Sequence, residues 1–343
     1  MINKSIVVGI THGDINSISY ELIMKTFKDQ RMMEFCCPVV YGSSKVVSFY
    51  KKIFTKSVDS NFKFNIIKQA KQATLKNPNL INITENEIKI DIGEITEIAG
   101  DSARLSLETA TKDIMNGNID VLVTCPINKQ NVFSDTFNYT GHTEYFASIT
   151  KTKNFLMLMV ADSLRIGTVT THCALSEVSS LITKELILKK INILHQSLCN
   201  DFNITKPRIA VLSLNPHAGD NNLFGTEEKD IILPAIEEAF NNKIYAFGPF
   251  AADGLFGSGE FRKYDGILAM YHDQAMIPFK LLSFDEGVNY TAGLPFIRTS
   301  PAHGSAMNIA GKDIASINSF RNAVYLACDI FKNRQRQLTE EEE

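Results

Sequence analysis

The sequence predicts an α/β fold built from repeated strand–helix units, and three observations carry that prediction. Short apolar runs alternate along the chain with segments of helical period, the pattern of βα repeats. Three of the runs stop on a histidine: Ile166-Gly-Thr-Val-Thr-Thr-His172, Ile209-Ala-Val-Leu-Ser-Leu-Asn-Pro-His217 and Ile267-Leu-Ala-Met-Tyr-His272. Strands buried on both faces of a parallel sheet read as continuous apolar runs of this kind. With 343 residues, 44% of them hydrophobic, the chain can bury the core of two domains or of one large α/β unit.

In chain order, Ile6 to Ile10 is an unbroken apolar run and reads as the first strand, and Tyr20 to Lys28 follows with helical spacing. Val39 to Tyr41 and Lys45 to Phe54 repeat the pair. A stretch rich in Lys, Asn and Ile intervenes before helical periodicity resumes at Ala103 to Met115 and leads into a strand at Val121 to Thr124. Phe155 to Val160 is the next strand, followed by the His172 run and a helix from Lys184 to Leu198. The His217 run, a helix from Glu227 to Phe240 and the His272 run come next, and an amphipathic helix covers Ser316 to Lys332. No internal repeat is evident. The tail Thr339-Glu-Glu-Glu-Glu343 reads as a solvated, frayed end.

Composition removes several function classes. A formal charge of -3 and a pI near 6.2 leave no basic stripe to neutralise phosphates, so nucleic acid is not an expected partner. The apolar run at the N-terminus is too short for a signal peptide or a membrane span, which predicts a cytoplasmic protein with no membrane partner. Six cysteines, with Cys36 and Cys37 adjacent and no Cys-x-x-Cys spacing, read as reduced thiols.

The chemistry is expected at the carboxyl ends of the strands, where open α/β sheets hold their sites. A single buried histidine is usually a hydrogen-bonded core residue. Three of only seven at equivalent strand ends instead suggest one cation held by His172, His217 and His272. Three protein ligands leave a position open for substrate, the arrangement of a catalytic metal. Imidazole donors favour zinc, with cobalt or magnesium as alternatives.

Six segments then carry a family resemblance: Thr124-Cys-Pro-Ile-Asn-Lys129, Gly141-His-Thr-Glu144, Asn215-Pro-His-Ala-Gly219, Gly248-Pro-Phe-Ala-Ala-Asp253, Tyr271-His-Asp-Gln274 and Gly293-Leu-Pro-Phe-Ile-Arg-Thr-Ser300. In this order they resemble the 4-hydroxythreonine-4-phosphate dehydrogenase family, from about Ile6 to Ala315. The resemblance implies metal-dependent, NAD- or NADP-linked oxidation of 4-phosphohydroxy-L-threonine. The β-keto acid formed decarboxylates to 3-amino-2-oxopropyl phosphate, a precursor of pyridoxal 5'-phosphate. It further implies a two-domain isocitrate/isopropylmalate dehydrogenase-like fold with the active site in the interdomain cleft, and a homodimer. The domains would be 1–135 plus 300–343, with the cofactor loop, and 136–299, with the metal ligands.

The same resemblance assigns His142, Thr143, Lys280, Asn289 and Arg298 to the small phosphorylated amino-acid substrate. Arg298 suits a phosphate or carboxylate because its guanidinium offers a bidentate fork. Thr143 has a second reading, as N-cap of a helix through Ile149, with Glu144 in its first turn. Lys280 is the catalytic candidate, since an amine beside a cation favours its neutral, proton-accepting form. Asp253 and Asp273 are lesser candidates for orienting groups near the metal. His12 reads as a local core residue rather than a fourth ligand.

No Gly-x-Gly-x-x-Gly follows the first strand. The segment His303-Gly-Ser-Ala-Met-Asn-Ile-Ala-Gly-Lys312 instead resembles the adenosine-binding loop of the isocitrate and isopropylmalate dehydrogenases. That assigns His303, Gly304, Ser305, Asn308 and Gly311 to the cofactor, and the neutral Asn308 leaves NAD and NADP both open. One segment departs from the family: Gly13-Asp-Ile-Asn-Ser-Ile-Ser-Tyr-Glu21 stands where most relatives carry Gly-Asp-Pro-x-Gly-Ile-Gly-Pro-Glu. Serines in place of glycines predict a reshaped loop. Two other functions remain in view: a paralogous dehydrogenase of another phosphorylated hydroxy acid, such as erythronate 4-phosphate, and a catalytically silent protein that binds metal or a phosphometabolite.

Overall fold

Short runs of three to six residues, most of them rich in apolar side chains, set the strands, and the computed structural model, which describes residues 5–132, 139 and 141–342, contains twelve of them. They are β1 Val7–Thr11, β2 Cys37–Gly42, β3 Asn65–Ile67, β4 Asn79–Asn82, β5 Val121–Thr124, β6 Leu156–Ala161, β7 Leu164–Thr168, β8 Arg208–Leu212, β9 Tyr245–Phe250, β10 Gly266–Ala269, β11 Val288–Ala292 and β12 Arg298–Pro301. Two compact units divide the chain: Met1–Phe146 with Phe296–Phe331, and Ala147–Pro295 with Lys332–Glu343. The sequence placed 332–343 with the first unit. Its boundary at 135 lies outside the described residues.

In the first unit the strands run in the order β3-β4-β2-β1-β5-β12, and every pair is parallel. Val8, Ile10, Val39, Val40, Leu122 and Val123 are fully buried, which is why these strands show no polar alternation. A helix, Glu97–Met115, packs beside β1 and β5. It begins six residues earlier than its periodicity suggested, because Thr96 caps it by accepting from the Ala99 amide. Gly100 lets this helix approach the chain at Asn131, where a Cβ would stand 1.9 Å from the Asn131 carbonyl oxygen.

In the second unit the order is β11-β6-β7-β10-β8-β9. β11, β6 and β7 are antiparallel, whereas β7, β10, β8 and β9 are parallel. The β6–β7 turn uses Asp162 at φ 48°, the left-handed conformation that tight hairpins require. The helix Asn318–Glu342 is longer than expected, and the acidic tail continues it to Glu342 instead of fraying. Its residues Asn333 and Arg334 attach to the second unit through Asp201, a carboxylate 3% exposed. The Asp201 carboxylate accepts from Ser197 Oγ, Tyr290 OH and Arg334 Nε, while Arg334 also donates to the Tyr290 oxygen.

The three histidine-ending runs are shorter as strands than predicted. β7, β8 and β10 stop four, five and three residues before their histidines, at Thr168, Leu212 and Ala269. His272 opens a helix, His272–Ser283, that the sequence did not separate from its strand. No helix among the described residues is long and apolar enough to cross a membrane.

Candidate active site

β10 lies between β7 and β8 with both pairings parallel, so their carboxyl ends stand side by side and present three histidine-bearing segments at one edge. The lashing is made by short polar side chains. Thr170 donates both its amide and its hydroxyl to the Met270 carbonyl oxygen. Gln274 accepts from the Met270 amide at 2.8 Å and donates to the Ser213 carbonyl at 2.7 Å. Thus one threonine and one glutamine tie the ends of β7, β10 and β8 together.

His172 and His272 come close, with ring centroids 6.1 Å apart, and line a cavity of about 530 Å³ with Tyr271 and Asp273. His272 Nδ1 lies 2.7 Å from Asp273 Oδ1, so a proton on Nδ1 leaves the Nε2 lone pair available to ligate a cation. His217 lines a second cavity of about 460 Å³, which shares Tyr271 and Asp273 and also includes Asp253. The structure therefore pairs two of the predicted ligands and sets the third beside them. Among the described residues, no three His, Cys, Asp or Glu side chains stand close enough to enclose an ion.

His217 rides on an unusual backbone. Residues 217 to 222 all have positive φ: 51° at His217, 53° at Ala218, 81° at Gly219, 41° at Asp220, 56° at Asn221 and 73° at Asn222. For residues with a Cβ this conformation costs roughly 1–2 kcal/mol each, less for Asp and Asn. Such strain persists only where the surroundings impose it. Just ahead of this turn the chain is held by Glu228, whose Oε1 accepts from the Leu214 and Asn215 amides and whose Oε2 accepts from Asn215 Nδ2.

The other predicted residues take the following places. Arg298, 2% exposed, donates from Nε and a terminal nitrogen to Thr124 Oγ1, and its guanidinium lies 5.8 Å from the centre of the Phe146 ring. Burial pushes the guanidinium down to about 9, partly offset by Glu144, and it is still cationic at neutral pH. His142 is held well below its usual range, first by burial and then by Arg298 and Lys129. Its Nε2 is buried with no hydrogen-bond partner among the described residues. Thr143 lies inside the helix His142–Ile149, so it is not that helix's N-cap, while Glu144 does sit in its first turn. Asn289, on β11, has a buried Oδ1 with no hydrogen-bond partner among the described residues. Lys280 is exposed on the helix His272–Ser283 and lines neither histidine cavity.

The candidate cofactor loop turns through Ala306 and Gly311, both at positive φ. Gly304 faces open space, where a Cβ would meet nothing, and Asn308 is exposed. The Ser305 carbonyl accepts from the Ile18 amide, and Gly311 packs on Ile92. The serine-bearing N-terminal segment is not strained by its substitutions: only Gly13 there has positive φ, while Ser17 and Ser19 hydrogen-bond to each other. Its hub is Asn16, whose side chain accepts from the Asp91 amide and donates to the Glu94 carbonyl and Thr96 Oγ1. His12 is a core residue as expected, fully buried against Ser102 and held down to about 4 by desolvation.

Comparison with known proteins decides the family. The sequence profile described as "Pyridoxal phosphate biosynthetic protein PdxA" matches residues 34–327. The chain belongs to the PdxA family. A 4-hydroxythreonine-4-phosphate dehydrogenase of Bacteroides thetaiotaomicron is 48% identical over 98% of this chain and 92% of its own. One from Aquifex aeolicus is 39% identical over 94% and 98%. The crystal structure of the Klebsiella pneumoniae 4-hydroxythreonine-4-phosphate dehydrogenase superposes with a TM-score of 0.82 at 32% identity, covering 96% of this chain and 99% of that one. Membership makes this PdxA chain an oxidoreductase of pyridoxal phosphate biosynthesis with the α/β fold that the sequence predicted, and the silent binding protein falls away.

Two residue sets bear on the groups a PdxA enzyme would bind. The histidine set fits a borderline divalent ion in type, and His172 and His272 fit it in place, whereas His217 must still be brought to them. At the 303–312 loop, Gly304 faces open space, so no part of the described protein blocks a nucleotide there. The sequence reading missed Thr170, Gln274 and Glu228. Gln274 stood inside a motif already singled out, while Glu228 looked like one more solvated charge on an amphipathic helix.

Proposed function

We propose that this chain oxidises the secondary alcohol of 4-phosphohydroxy-L-threonine with NAD or NADP, giving 2-amino-3-oxo-4-phosphooxybutanoate, which decarboxylates to 3-amino-2-oxopropyl phosphate. The observation that carries this reading is the 48% identity, over nearly the whole chain, to a 4-hydroxythreonine-4-phosphate dehydrogenase. His172, His217 and His272 would hold a divalent cation, zinc by ligand type. His303, Gly304, Ser305, Asn308 and Gly311 would hold the nucleotide. When bound, the cation stabilises negative charge on the substrate oxygen and the nicotinamide accepts the hydride.

The chain's own residues do the rest. Arg298 is oriented by Thr124, and its planar guanidinium suits an anionic end of the substrate. His142 Nε2 and Asn289 Oδ1 are buried polar atoms that a ligand would satisfy, and such atoms are costly to leave bare. Thr143 adds a hydroxyl beside His142. Lys280 lines neither histidine cavity of its own chain, so it would serve as proton acceptor for the alcohol only from the second copy described next.

Assembly belongs to the same proposal. The helix His272–Ser283 and its end expose Ile277, Leu281 and Phe284, and Ile277 and Leu281 also wall the His217 cavity. A second copy of this chain on that face would shield the apolar patch and complete the imidazole set.

A second reading has one observation in its favour: a protein of Oceanobacillus iheyensis provisionally named D-threonate 4-phosphate dehydrogenase is 36% identical over 96% of this chain and 98% of its own. Cofactor reduction measured with 4-phosphohydroxy-L-threonine, D-threonate 4-phosphate and erythronate 4-phosphate, with and without added Zn2+, separates the two. The expected result is the highest kcat/KM for the amino acid and dependence on the metal. Preference for either sugar acid assigns the chain to the paralogous activity.

A further inference from the structure

We infer that Glu228 is a positioning residue for His217, clamping the chain just ahead of the left-handed turn so that the imidazole is delivered into its cavity. This rests on the reading of His217 as a cation ligand. Six consecutive residues hold positive φ, and five of them carry a Cβ, so the turn does not stand by its own preference. Asp220, Asn221 and Asn222 tolerate the conformation; His217 and Ala218 have no such compensation from a short polar side chain.

The chain entering the turn is held at several points. Glu228, 6% exposed, takes the amides of Leu214 and Asn215 on one oxygen and Asn215 Nδ2 on the other. That second oxygen also fills the space beneath Gly219, where a Cβ would come within 2.9 Å of it. One residue further back, Ser213 is fixed through its carbonyl to Gln274, and its hydroxyl donates to the Asn215 carbonyl. Glu228 itself begins a short π-helical turn, Glu228–Ile232, a local irregularity that places a carboxylate where a regular helix would not.

The test titrates full-length protein, freed of metal, with Co2+ and reads the visible absorption of the ion, alongside the thermal midpoint. Glu228→Gln keeps the size of the side chain but presents an amide to Asn215 Nδ2, two donors face to face. Co2+ affinity should fall roughly 10–100-fold, the usual effect of losing a group that orients a ligand, with the thermal midpoint nearly kept. Adding Ala218→Gly, which removes a Cβ at φ 53°, should recover part of that loss. Wild-type affinity in Glu228→Gln, with His217→Ala weakened, overturns the positioning role while sparing the ligand reading. Wild-type affinity in His217→Ala sinks the ligand reading itself. A loss that Ala218→Gly deepens also overturns the proposal. Should Glu228→Gln fail to fold, Asn215→Ser, which keeps both amide contacts and removes the Nδ2 contacts to Glu227 and Glu228, must show a severalfold loss that Glu227→Gln alone does not show, for the proposal to stand.

Discussion

Arg298 and His217 are proposed for different tasks, and single substitutions separate them. Arg298→Lys replaces a planar fork held by Thr124 with a point charge that cannot meet the same hydroxyl in two places. A charge-assisted contact of about 1.5–3 kcal/mol is lost, so KM for the substrate should rise on the order of 10–100-fold. Bound metal should be unchanged. His217→Ala should lose tight metal binding instead, and hydride transfer with it. Metal content of the purified proteins beside substrate titration checks both. Metal lost from Arg298→Lys, or full occupancy in His217→Ala, contradicts the division of roles. The histidines and Arg298 were legible because their chemistry is rare in the surroundings that the sequence shows. Glu228 was not, since an acidic residue in a periodic segment looks the same whether it faces water or a strained loop.

At the scale of elements, the helix Glu97–Met115 gives the sharpest prediction. In an exposed helix Gly→Ala stabilises by about 1 kcal/mol, yet at Gly100 the new Cβ would sit 1.9 Å from a backbone oxygen that has no side-chain freedom to yield. Gly100→Ala should therefore destabilise the protein by about 1–3 kcal/mol, read as a lower denaturant midpoint; a raised midpoint would show that the two segments separate freely. Elements with long apolar runs, such as β1, β5, β6 and the three histidine strands, were readable from sequence. β3, β4, β9, β11 and β12 were not: β3, β4 and β12 span three or four residues, β9 is interrupted by Gly248-Pro249, and several of the others carry polar residues whose burial is settled by partners far along the chain. Asn79 on β4, buried and bonded to the Pro38 and Thr74 carbonyls, is one such case. Helix ends were missed where a cap decides them, as at Thr96.

For the molecule as a whole, the apolar face around Leu281 and Phe284, 86% and 77% exposed, is the feature that a solitary chain explains least. Leu281→Glu together with Phe284→Glu should convert a dimer to a monomer in sedimentation and weaken metal binding at least tenfold, by analogy with other losses of ligand support. A monomeric wild-type protein refutes the assembly. The division into two units was legible only in outline, because the return of residues 332–343 to the second unit depends on side-chain bonds from Asn333, Arg334 and Gln337 rather than on any pattern of apolar residues. Those bonds bear on how the protein is made. Asp201 and Tyr290 leave the ribosome well before Arg334, so the second unit meets its own interior acid without the guanidinium that answers it. Burial of a carboxylate answered only by the Ser197 and Tyr290 hydroxyls is costly, and domains otherwise settle in the order they are translated. Here the final turns of the helix Asn318–Glu342 act as a latch, and the second unit completes its interior only when Arg334 has joined it.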